Sequence, residues 1–409
     1  MHRFLKAFLV LITLTLSFGC ASDEAKSEFP EDLCTIELSP GDDNQTTIQT
    51  ALIEIEENGT LCLGSGTYSF ASELSLDVDG VSIIGAGYDE EGQAKTVLNF
   101  KDQTVGSNGI LITSNNTKVQ DFAVIDPAGD GIRASGVKGI TFLRVTVIWN
   151  SDSDPENGGY GLYPVQAENV LVQDCEVVGA SDAGIYVGQS TNALVVGNNV
   201  HGNVAGIEIE NTTTAEVRDN RTWDNAGGIL VFNLPDLPIM DGKYAKVHKN
   251  TIENNNRPNF AQEGNMVAMV PSGTGILVLA ADHNEIHDNI ITGNSSLGVA
   301  VIDYTEFIFG GWKDENFDPH AEGNYVHHNT FENNGFEAKG IVDLNVFPKP
   351  FPPLVWDGCA NEEDHKINCF FENGGAEYAN VNICDQFKTD YDEEAVTCEY
   401  DALPGVTLD

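Results

Sequence analysis

Basic residues are scarce in this chain, and their scarcity excludes one class of partner. Among 409 residues, 20 Lys and Arg face 63 Asp and Glu, so the formal net charge is −43 at pH 7. Binding to DNA or RNA depends largely on Lys and Arg that neutralise phosphates, so nucleic acid is excluded as a partner. An anionic glycan meets the same repulsion unless a divalent cation bridges the two surfaces.

The sequence also lacks an apolar run long enough to span a bilayer. The apolar stretch 7–16 follows Arg3 and Lys6 and precedes small residues, and it is too short for a membrane span. This pattern predicts an export signal over residues 1–19.

The end of this signal resembles that of a bacterial lipoprotein, with Gly19 before a Cys20 that would be cleaved and lipidated. Ser17 stands where that motif usually has Leu. The resemblance implies a lipid-anchored protein of the bacterial cell envelope, with residues 20–33 as a polar tether and membrane contact through the anchor only. Cleavage by the ordinary signal peptidase, which would give a periplasmic or secreted protein, is the alternative.

Zinc-type and haem-type cysteine spacings are absent from the seven cysteines that follow Cys20. An oxidising compartment favours disulfides, and the grouping predicts one bridge between Cys34 and Cys62. Three connectivities are open for two further bridges among the last four cysteines, which are Cys359, Cys369, Cys384 and Cys398. Cys175 is left unpaired.

A repeat of about 22 residues organises most of the chain. Each unit opens with Gly followed by an aliphatic residue. The glycines are Gly109, Gly131, Gly161, Gly184, Gly206, Gly228, Gly275 and Gly298. Two asparagine columns run through the units in a constant register. The first contains Asn198, Asn220, Asn250, Asn289 and Asn329, and the second contains Asn203, Asn225, Asn255, Asn294 and Asn334.

Apolar and polar residues alternate between these columns, which predicts three short strands per unit. One such unit cannot bury its inner side chains alone, whereas stacked coils pair strand on strand and share one core. Asparagines that recur at a bend then form amide ladders. The pattern therefore predicts an all-β solenoid.

These residues resemble the right-handed parallel β-helix of the pectate-lyase-like superfamily, from Asp43 to Val346. More narrowly, residues 156–199 resemble a family of exported bacterial β-helix repeat proteins of unassigned function. The resemblance implies a fold that hosts lyases, hydrolases, epimerases, adhesins and inactive domains, so it does not determine function.

Both ends of the solenoid are predicted to be capped. Asp43 or Asn44 would cap a helix that buries Ile48, Leu52 and neighbouring apolar residues over the first coil. Residues 34–108 would then form the N-terminal cap and first coils, and residues 109–346 the β-helix repeats. The proline-rich run 347–353 is expected to end the strand ladder, because proline cannot donate to it. Residues 347–409 would form a disulfide-containing C-terminal cap.

Outward positions of the first strand in each unit contain the candidate site. Arg133, Tyr163, Tyr186, Glu208 and Glu210 form a polar zone, followed by an apolar strip of Leu230, Phe232, Leu277, Leu279 and Ile302. A bare apolar strip needs a cover, so we expect the insertions 234–244, 257–273 and 305–323 to fold over it and form one wall of a cleft. The polar zone would be the floor of that cleft.

Paired carboxylates can divide acid and base roles, and tyrosines can stack on sugars or relay protons. We therefore take Glu208, Glu210, Tyr186 and Arg133 as candidate catalytic residues, and Tyr163 and Phe232 as candidate substrate-binding residues. A solvated polar face without function is the alternative.

Three further patterns are candidates for chemistry. Asp152, Asp154 and Glu156 are a candidate calcium site, with an ordinary acidic loop as the alternative. His248, His287 and His327 share one outward register and are a weaker candidate for a metal site. Asp318, Pro319 and His320 resemble part of the Asp-Pro-His-Asp motif of alginate C5-epimerases, but Ala321 replaces the last aspartate.

Three functional hypotheses follow. The first is an exported protein that binds a polysaccharide along the cleft, with or without modifying it, and the second is a polysaccharide lyase, hydrolase or epimerase. The third is a non-enzymatic scaffold that binds an exported protein partner. A lyase needs Lys or Arg beside its base to neutralise a substrate carboxylate, and on this face only Arg133 qualifies, which disfavours that activity.

Overall fold

The computed structural model describes residues 28–359 and 367–408. The signal peptide and Cys20 lie outside the described residues. Within them, the chain winds into a parallel β-helix, and each regular coil contributes two strands to a 20-stranded sheet and one strand to an 11-stranded sheet. No described helix is long and apolar enough to cross a membrane.

The N-terminal part of the chain contains the first ten strands and the longer helix. They are β1 (Ile36–Leu38), α1 (Asn44–Glu54), β2 (Thr60–Leu63), β3 (Gly66–Ser69), β4 (Ser72–Leu76), β5 (Ser82–Gly85), β6 (Thr96–Asn99), β7 (Val105–Ile112), β8 (Thr117–Ile125), β9 (Asp130–Ser135) and β10 (Lys138–Ile148).

The central coils are regular. They comprise β11 (Tyr160–Val165), β12 (Glu168–Gln173), β13 (Glu176–Val178), β14 (Ala183–Gly188), β15 (Thr191–Val196), β16 (Asn199–His201), β17 (Ala205–Glu210), β18 (Thr213–Arg218), β19 (Arg221–Trp223), β20 (Gly227–Phe232), β21 (Lys246–His248) and β22 (Thr251–Glu253).

The last coils carry the longer insertions. They comprise β23 (Thr274–Leu279), β24 (Glu285–His287), β25 (Ile290–Thr292), β26 (Leu297–Ile302), α2 (Glu306–Phe309), β27 (Tyr325–His327), β28 (Thr330–Glu332), β29 (Leu354–Trp356), β30 (Cys369–Phe371) and β31 (Tyr378–Asn380). Short 3-10 helices lie at Met266–Met269, Gly340–Asp343, Ile383–Asp385 and Glu393–Val396.

The repeat register predicted from the glycines is confirmed in the strand pairing. Ile185, Ile207, Ile229 and Ile276 are successive partners along the 11-stranded sheet, and each side chain is fully buried. The core is therefore a stack of aliphatic rungs contributed by every coil.

The two predicted asparagine ladders are present inside the bends. In the second ladder, the Asn225 side chain accepts from the backbone N–H of Asn203 at 2.9 Å and donates to Asn255 Oδ1 at 2.9 Å. Cys175 lies at the head of the first ladder, where its N–H donates to Asn198 at 2.9 Å. Each ladder satisfies backbone groups that the sharp bend would otherwise leave buried and unpaired.

The N-terminal cap follows the sequence prediction. The Asp43 side chain accepts from Thr46 N at 3.2 Å, and α1 buries Ile48 and Leu52 against β3 and β4. The Cys34–Cys62 disulfide holds this end of the chain. Helix α1 thus covers the first coil, whose core would otherwise face water.

The expectation that residues 347–353 end the ladder is wrong. Strand β29 pairs with β26, β30 with β27, and β31 with β29. The prolines lie in the connection between β28 and β29, where no ladder N–H is needed, so the β-helix resumes beyond them. Disulfides Cys359–Cys384 and Cys369–Cys398 tie these last strands to the C-terminal segment.

The C-terminal tail, residues 401–408, crosses the outside of the 20-stranded sheet. The N–H of Leu403 donates to Glu285 on β24 at 2.8 Å, and the N–H of Val406 donates to Glu216 on β18 at 2.7 Å. The tail therefore runs back along the solenoid axis and contacts coils that do not contact one another.

Candidate functional site

The outer face of the 11-stranded sheet carries the predicted columns. Tyr186, Glu208 and Leu230 are direct register partners on β14, β17 and β20, and Glu210 is the partner of Phe232. Polar side chains therefore change to apolar ones between β17 and β20.

The apolar half of this face is covered as predicted. Phe232, Leu277 and Leu279 are buried, together with side chains from all three insertions. Each insertion contributes partly buried residues to this cluster, which include Leu234 and Met240, Phe260 and Met266, and Phe309 and Trp312. An apolar cavity remains between sheet and cover, with Phe232 in its lining. Phe232 is thus a buried residue of the sheet beneath the cover, and the structure does not place it on an open substrate surface.

The polar zone is not the floor of an open cleft. Glu208, Glu210 and Tyr186 are only 3%, 7% and 4% exposed, whereas Tyr163 and Arg133 are half-buried. The expectation of an open floor is wrong. Tyr186 belongs to the buried apolar cluster beneath the cover, and Tyr160 packs against that cluster. The two glutamates lie inside the protein, and Tyr163 and Arg133 lie at the rim.

Two residues missed in the sequence complete the buried group. We call Tyr160, Tyr163, Tyr186, Asp182, Glu208 and Glu210 the acid–tyrosine cluster. Tyr186 donates its hydroxyl to Glu210 Oε1 at 2.5 Å, and Tyr160 donates its hydroxyl to Asp182 Oδ2 at 3.4 Å. The ring centroids of the three tyrosines are 4.5 to 5.0 Å apart. The cluster therefore contains two tyrosine–carboxyl pairs on one aromatic platform.

Burial raises the pKa of every carboxyl group in the cluster. It raises the pKa of Asp182 to about 8 and that of Glu210 to about 7. Burial, with the neighbouring charges of Asp182 and Glu210, holds the pKa of Glu208 well above its usual range. At the rim, burial raises the pKa of Asp130 to about 6, and Arg133 partly opposes the shift. Desolvation is the main cause because water no longer stabilises the charged forms.

These acids have no ion-pair partner among the described residues. Asp182, Glu208 and Glu210 take part in none of the salt bridges found there, and Glu208 Oε2 is buried without any hydrogen-bond partner. Arg133 lies three strands away from Glu208 along the sheet, about 14 Å at the usual strand spacing. The guanidinium of Arg133 instead lies 4.8 Å from the ring centroid of Tyr163.

A latch holds the second insertion against the acidic loop 149–161. Arg257 donates to Asp152 at 2.7 Å and to Asp224 at 2.7 Å, and Gln262 donates to the carbonyl of Pro155 at 2.9 Å. The second insertion and the acidic loop are thus joined through Arg257 and Gln262.

The predicted calcium ligands are not brought together. Asp152 pairs with Arg257, and the Asp154 carboxylate accepts from the backbone N–H of Glu156 at 3.0 Å. These three acids do not form a group with converging ligand atoms in the part of the chain that the structure describes. The loop uses one carboxylate as the latch and a second to stabilise its own turn.

The three outward histidines stack as the register predicts, with ring centroids 4.8 and 5.0 Å apart. Their planes are within 8° of parallel, so the nitrogen lone pairs do not converge on one point. His248 and His327 instead pair with Glu216 and Glu285. A shared metal site needs converging nitrogens, so this geometry does not fit one.

The Asp-Pro-His segment lies away from the acid–tyrosine cluster. His320 pairs with Asp303, which directly follows β26, and β26 is three strands from the glutamates on β17. His320 and the glutamates therefore do not share a reaction centre.

The sequence holds a signal for Tyr160 and Asp182 just before the opening glycine of the repeat. The residue before the opening glycine is Asp130 in one coil and Tyr160 in the next, whereas two later coils have Ala183 and Ala205. Asp182 precedes Ala183. Strand alternation predicts outward positions only after the glycine, so it does not identify the residues at this corner of the coil.

Comparisons with known proteins support the fold. Residues 89–236 match the family described as "Right handed beta helix region", so the chain contains a right-handed β-helix region. Among solved structures, the A-module of the Azotobacter vinelandii mannuronan C-5 epimerase AlgE4 is similar at 17% identity. Its TM-score is 0.54, and the match covers 82% of this chain and 91% of that module.

The A-module of the AlgE6 epimerase from the same organism is similar at 17% identity with a TM-score of 0.52, over 82% of this chain and 91% of that module. No curated protein matches the sequence. The chain thus has a distant structural similarity to carbohydrate-active β-helix enzymes, and this similarity concerns the fold.

Proposed function

We propose that this chain is an exported, glycan-active protein and that the acid–tyrosine cluster is its proton-transfer site. The observation that carries the proposal is the burial of Asp182, Glu208 and Glu210 without a counter-charge. Desolvating carboxyl groups without partners destabilises a fold, and such groups concentrate at functional sites.

The chemistry of the cluster supports acid–base catalysis. A general acid and a general base work best when their pKa values lie near the working pH. Glu210, with a pKa of about 7 and the Tyr186 hydroxyl at 2.5 Å, can accept or donate a proton near neutral pH. Asp182, with a pKa of about 8, is mostly protonated there, whereas Asp130, with a pKa of about 6, is mostly ionised. Asp182 in the cluster and Asp130 at its rim thus offer a proton donor and a proton acceptor at the same pH.

The surface that leads to the cluster supports a chain-like ligand. N-terminal to Tyr163, the same outer face is uncovered, with Ser75 and Thr113 exposed and Leu111 and Ser135 half-buried. This open face ends at the rim formed by Arg133 and Tyr163. The two fold neighbours are named for an activity on mannuronan, a polysaccharide, which agrees with a glycan as the ligand class.

A glycan panel tests the proposal. The wild-type protein would be assayed for binding, for release of reducing ends and for unsaturated products, beside Glu210→Gln and Tyr186→Phe. Tyr391→Phe is a matched control, because Tyr391 is exposed and distant in sequence from the cluster. We expect turnover of at least one glycan by the wild type and the control, with at least a hundredfold loss in both cluster variants.

The products distinguish the reaction types. Reducing ends without unsaturated products indicate hydrolysis, and unsaturated ends indicate a lyase. Binding without turnover would overturn the catalytic part of the proposal, and absence of binding across the panel would overturn the glycan assignment itself.

Attachment of the protein to a membrane through lipidated Cys20 belongs to the same proposal. The support is the signal-like sequence that ends at Gly19. Metabolic labelling with a radioactive fatty acid in a bacterial host should label the wild type and leave Cys20→Ser unlabelled. Equal labelling, or none in the wild type, would contradict lipidation.

A further inference from the structure

The acid–tyrosine cluster also indicates the chemical class of its ligand. We infer that the cluster binds a saccharide that carries a free primary ammonium group, such as an oligosaccharide of glucosamine. This inference rests on the proposed glycan-directed function and narrows it from glycans in general to amino sugars.

Glu208 is the first observation that points to a cationic ligand. Its side chain is 97% buried, lies on the outer face of β17 within the cluster, and presents Oε2 without any hydrogen-bond partner. A buried polar atom without a hydrogen-bond partner costs about 1–3 kcal/mol, and an ammonium group would favour the ionised form of Glu208 and donate to this oxygen. An ammonium group would supply three N–H donors and the positive charge that the surrounding acids lack.

The tyrosines are the second, independent observation. Tyr160, Tyr163 and Tyr186 form an aromatic group, and the negative faces of such rings attract cations. Tyr163 already has a cation over its ring, the Arg133 guanidinium at 4.8 Å. Acids combined with aromatic faces are the arrangement that recognises an ammonium group.

An anionic sugar fits the same place poorly. A uronate carboxylate would enter a site with three buried carboxyl groups, and Arg133 lies on β9, three strands and about 14 Å from the strand of Glu208 at the usual strand spacing. Arg133 Nε is also buried without a partner, so an anion could bind at the rim, but it would not satisfy Glu208. Complementarity of charge inside the cluster therefore favours an ammonium group over a carboxylate.

Three short oligosaccharides test the inference by isothermal titration calorimetry on the full chain. They are a glucosamine tetramer, its fully N-acetylated counterpart and a mannuronate tetramer. We expect the glucosamine tetramer to bind at least tenfold more tightly than either of the others. Acetylation removes the charge and keeps the sugar backbone, so this comparison isolates the ammonium group.

Two variants separate the cluster from the general acidity of the protein. Glu208→Gln should weaken binding of the glucosamine tetramer at least tenfold, while Glu168→Gln, a change at an exposed acid, should leave it unchanged at 0.3 M salt. Urea unfolding of Glu208→Gln checks that the variant is folded.

Each outcome decides a separate point. Binding of the acetylated or the mannuronate tetramer as tightly as the glucosamine tetramer overturns the amino-sugar inference and leaves the proposed glycan function standing. Binding of glucosamine that is equally strong in Glu208→Gln assigns it to non-specific attraction and overturns the inference as well. Failure of every glycan in the wider panel overturns the proposed function itself.

Discussion

Glu210→Gln should make the protein more stable above neutral pH, although it removes a proposed catalytic group. In the folded protein, burial raises the pKa of Glu210 from 4.5 to about 7. Glutamine has nearly the same shape and can still accept the hydroxyl of Tyr186, but it carries no charge that burial would penalise. The substitution therefore removes a penalty and retains most of the contacts.

The size and the sign of the effect follow from linkage between folding and protonation. Below pH 4.5 the group is protonated in the folded and the unfolded protein, so wild type and variant should have similar stability. As the pH rises through 4.5, the unfolded chain ionises first, and the wild type loses stability until the folded group ionises near pH 7. A tenfold change in an acid constant corresponds to about 1.4 kcal/mol, so the loss in the wild type reaches about 3 kcal/mol.

Urea unfolding followed by circular dichroism at pH 4 and at pH 8 measures this difference. At pH 8 the free energy of unfolding of Glu210→Gln should exceed that of the wild type by about 3 kcal/mol, and at pH 4 the two should agree. Glu168→Gln, at an exposed acid paired with Lys138, should change stability by less than about 1 kcal/mol at either pH. A variant that is less stable than wild type at pH 8 would mean that Glu210 is ionised and paired in the native protein, and the uncompensated cluster would be refuted.

Three further predictions concern the latch, the ladders and the free thiol. Arg257→Ala should speed hydrogen exchange of residues 257–273, because the latch is lost. Arg221→Ala, a change on an exposed face, should not speed it, and equal exchange in both variants would refute the latch. Asn225→Ala should lower the free energy of unfolding by about 3 kcal/mol or more, because four buried hydrogen bonds are lost, and a loss under about 1 kcal/mol in urea unfolding would contradict the ladder. Cys175 is buried with a pKa raised to about 12, so iodoacetamide should modify it only after denaturation, as seen by mass spectrometry of its peptide; modification in the native protein would contradict its burial.

The architecture of the coils could be predicted because each coil repeats the same physical requirements. A glycine at a tight corner, an aliphatic rung and an asparagine at a bend recur in register. The strands predicted for one coil can therefore be checked against those of the next coil. The capping helix could also be predicted from the sequence, since Asp43 and the apolar spacing of Ile48 and Leu52 are local signals. The continuation of the β-helix beyond the prolines could not be predicted from the sequence, because β29 and β30 are short strands whose partners lie far away in sequence.

The site was predicted in part. Tyr186, Glu208 and Glu210 were identified because strand alternation puts them on one face, and the structure keeps them there. Their burial was not predictable, since strand alternation gives the face on which a side chain lies but not what packs over that face. Asp182 lies just before β14 and Tyr160 is the first residue of β11, and alternation gives no information on direction at these strand starts. Neither their hydrogen bond nor the raised pKa of Asp182 has a signature in one sequence.

The C-terminal tail, residues 401–408, links coils that stacking alone leaves unconnected. Neighbouring coils support only each other. Leu403 and Val406 bind Glu285 and Glu216 on two coils that are not neighbours in the stack. Removal of residues 401–408 would therefore uncouple these two coils and take one backbone donor from each of the two acidic side chains.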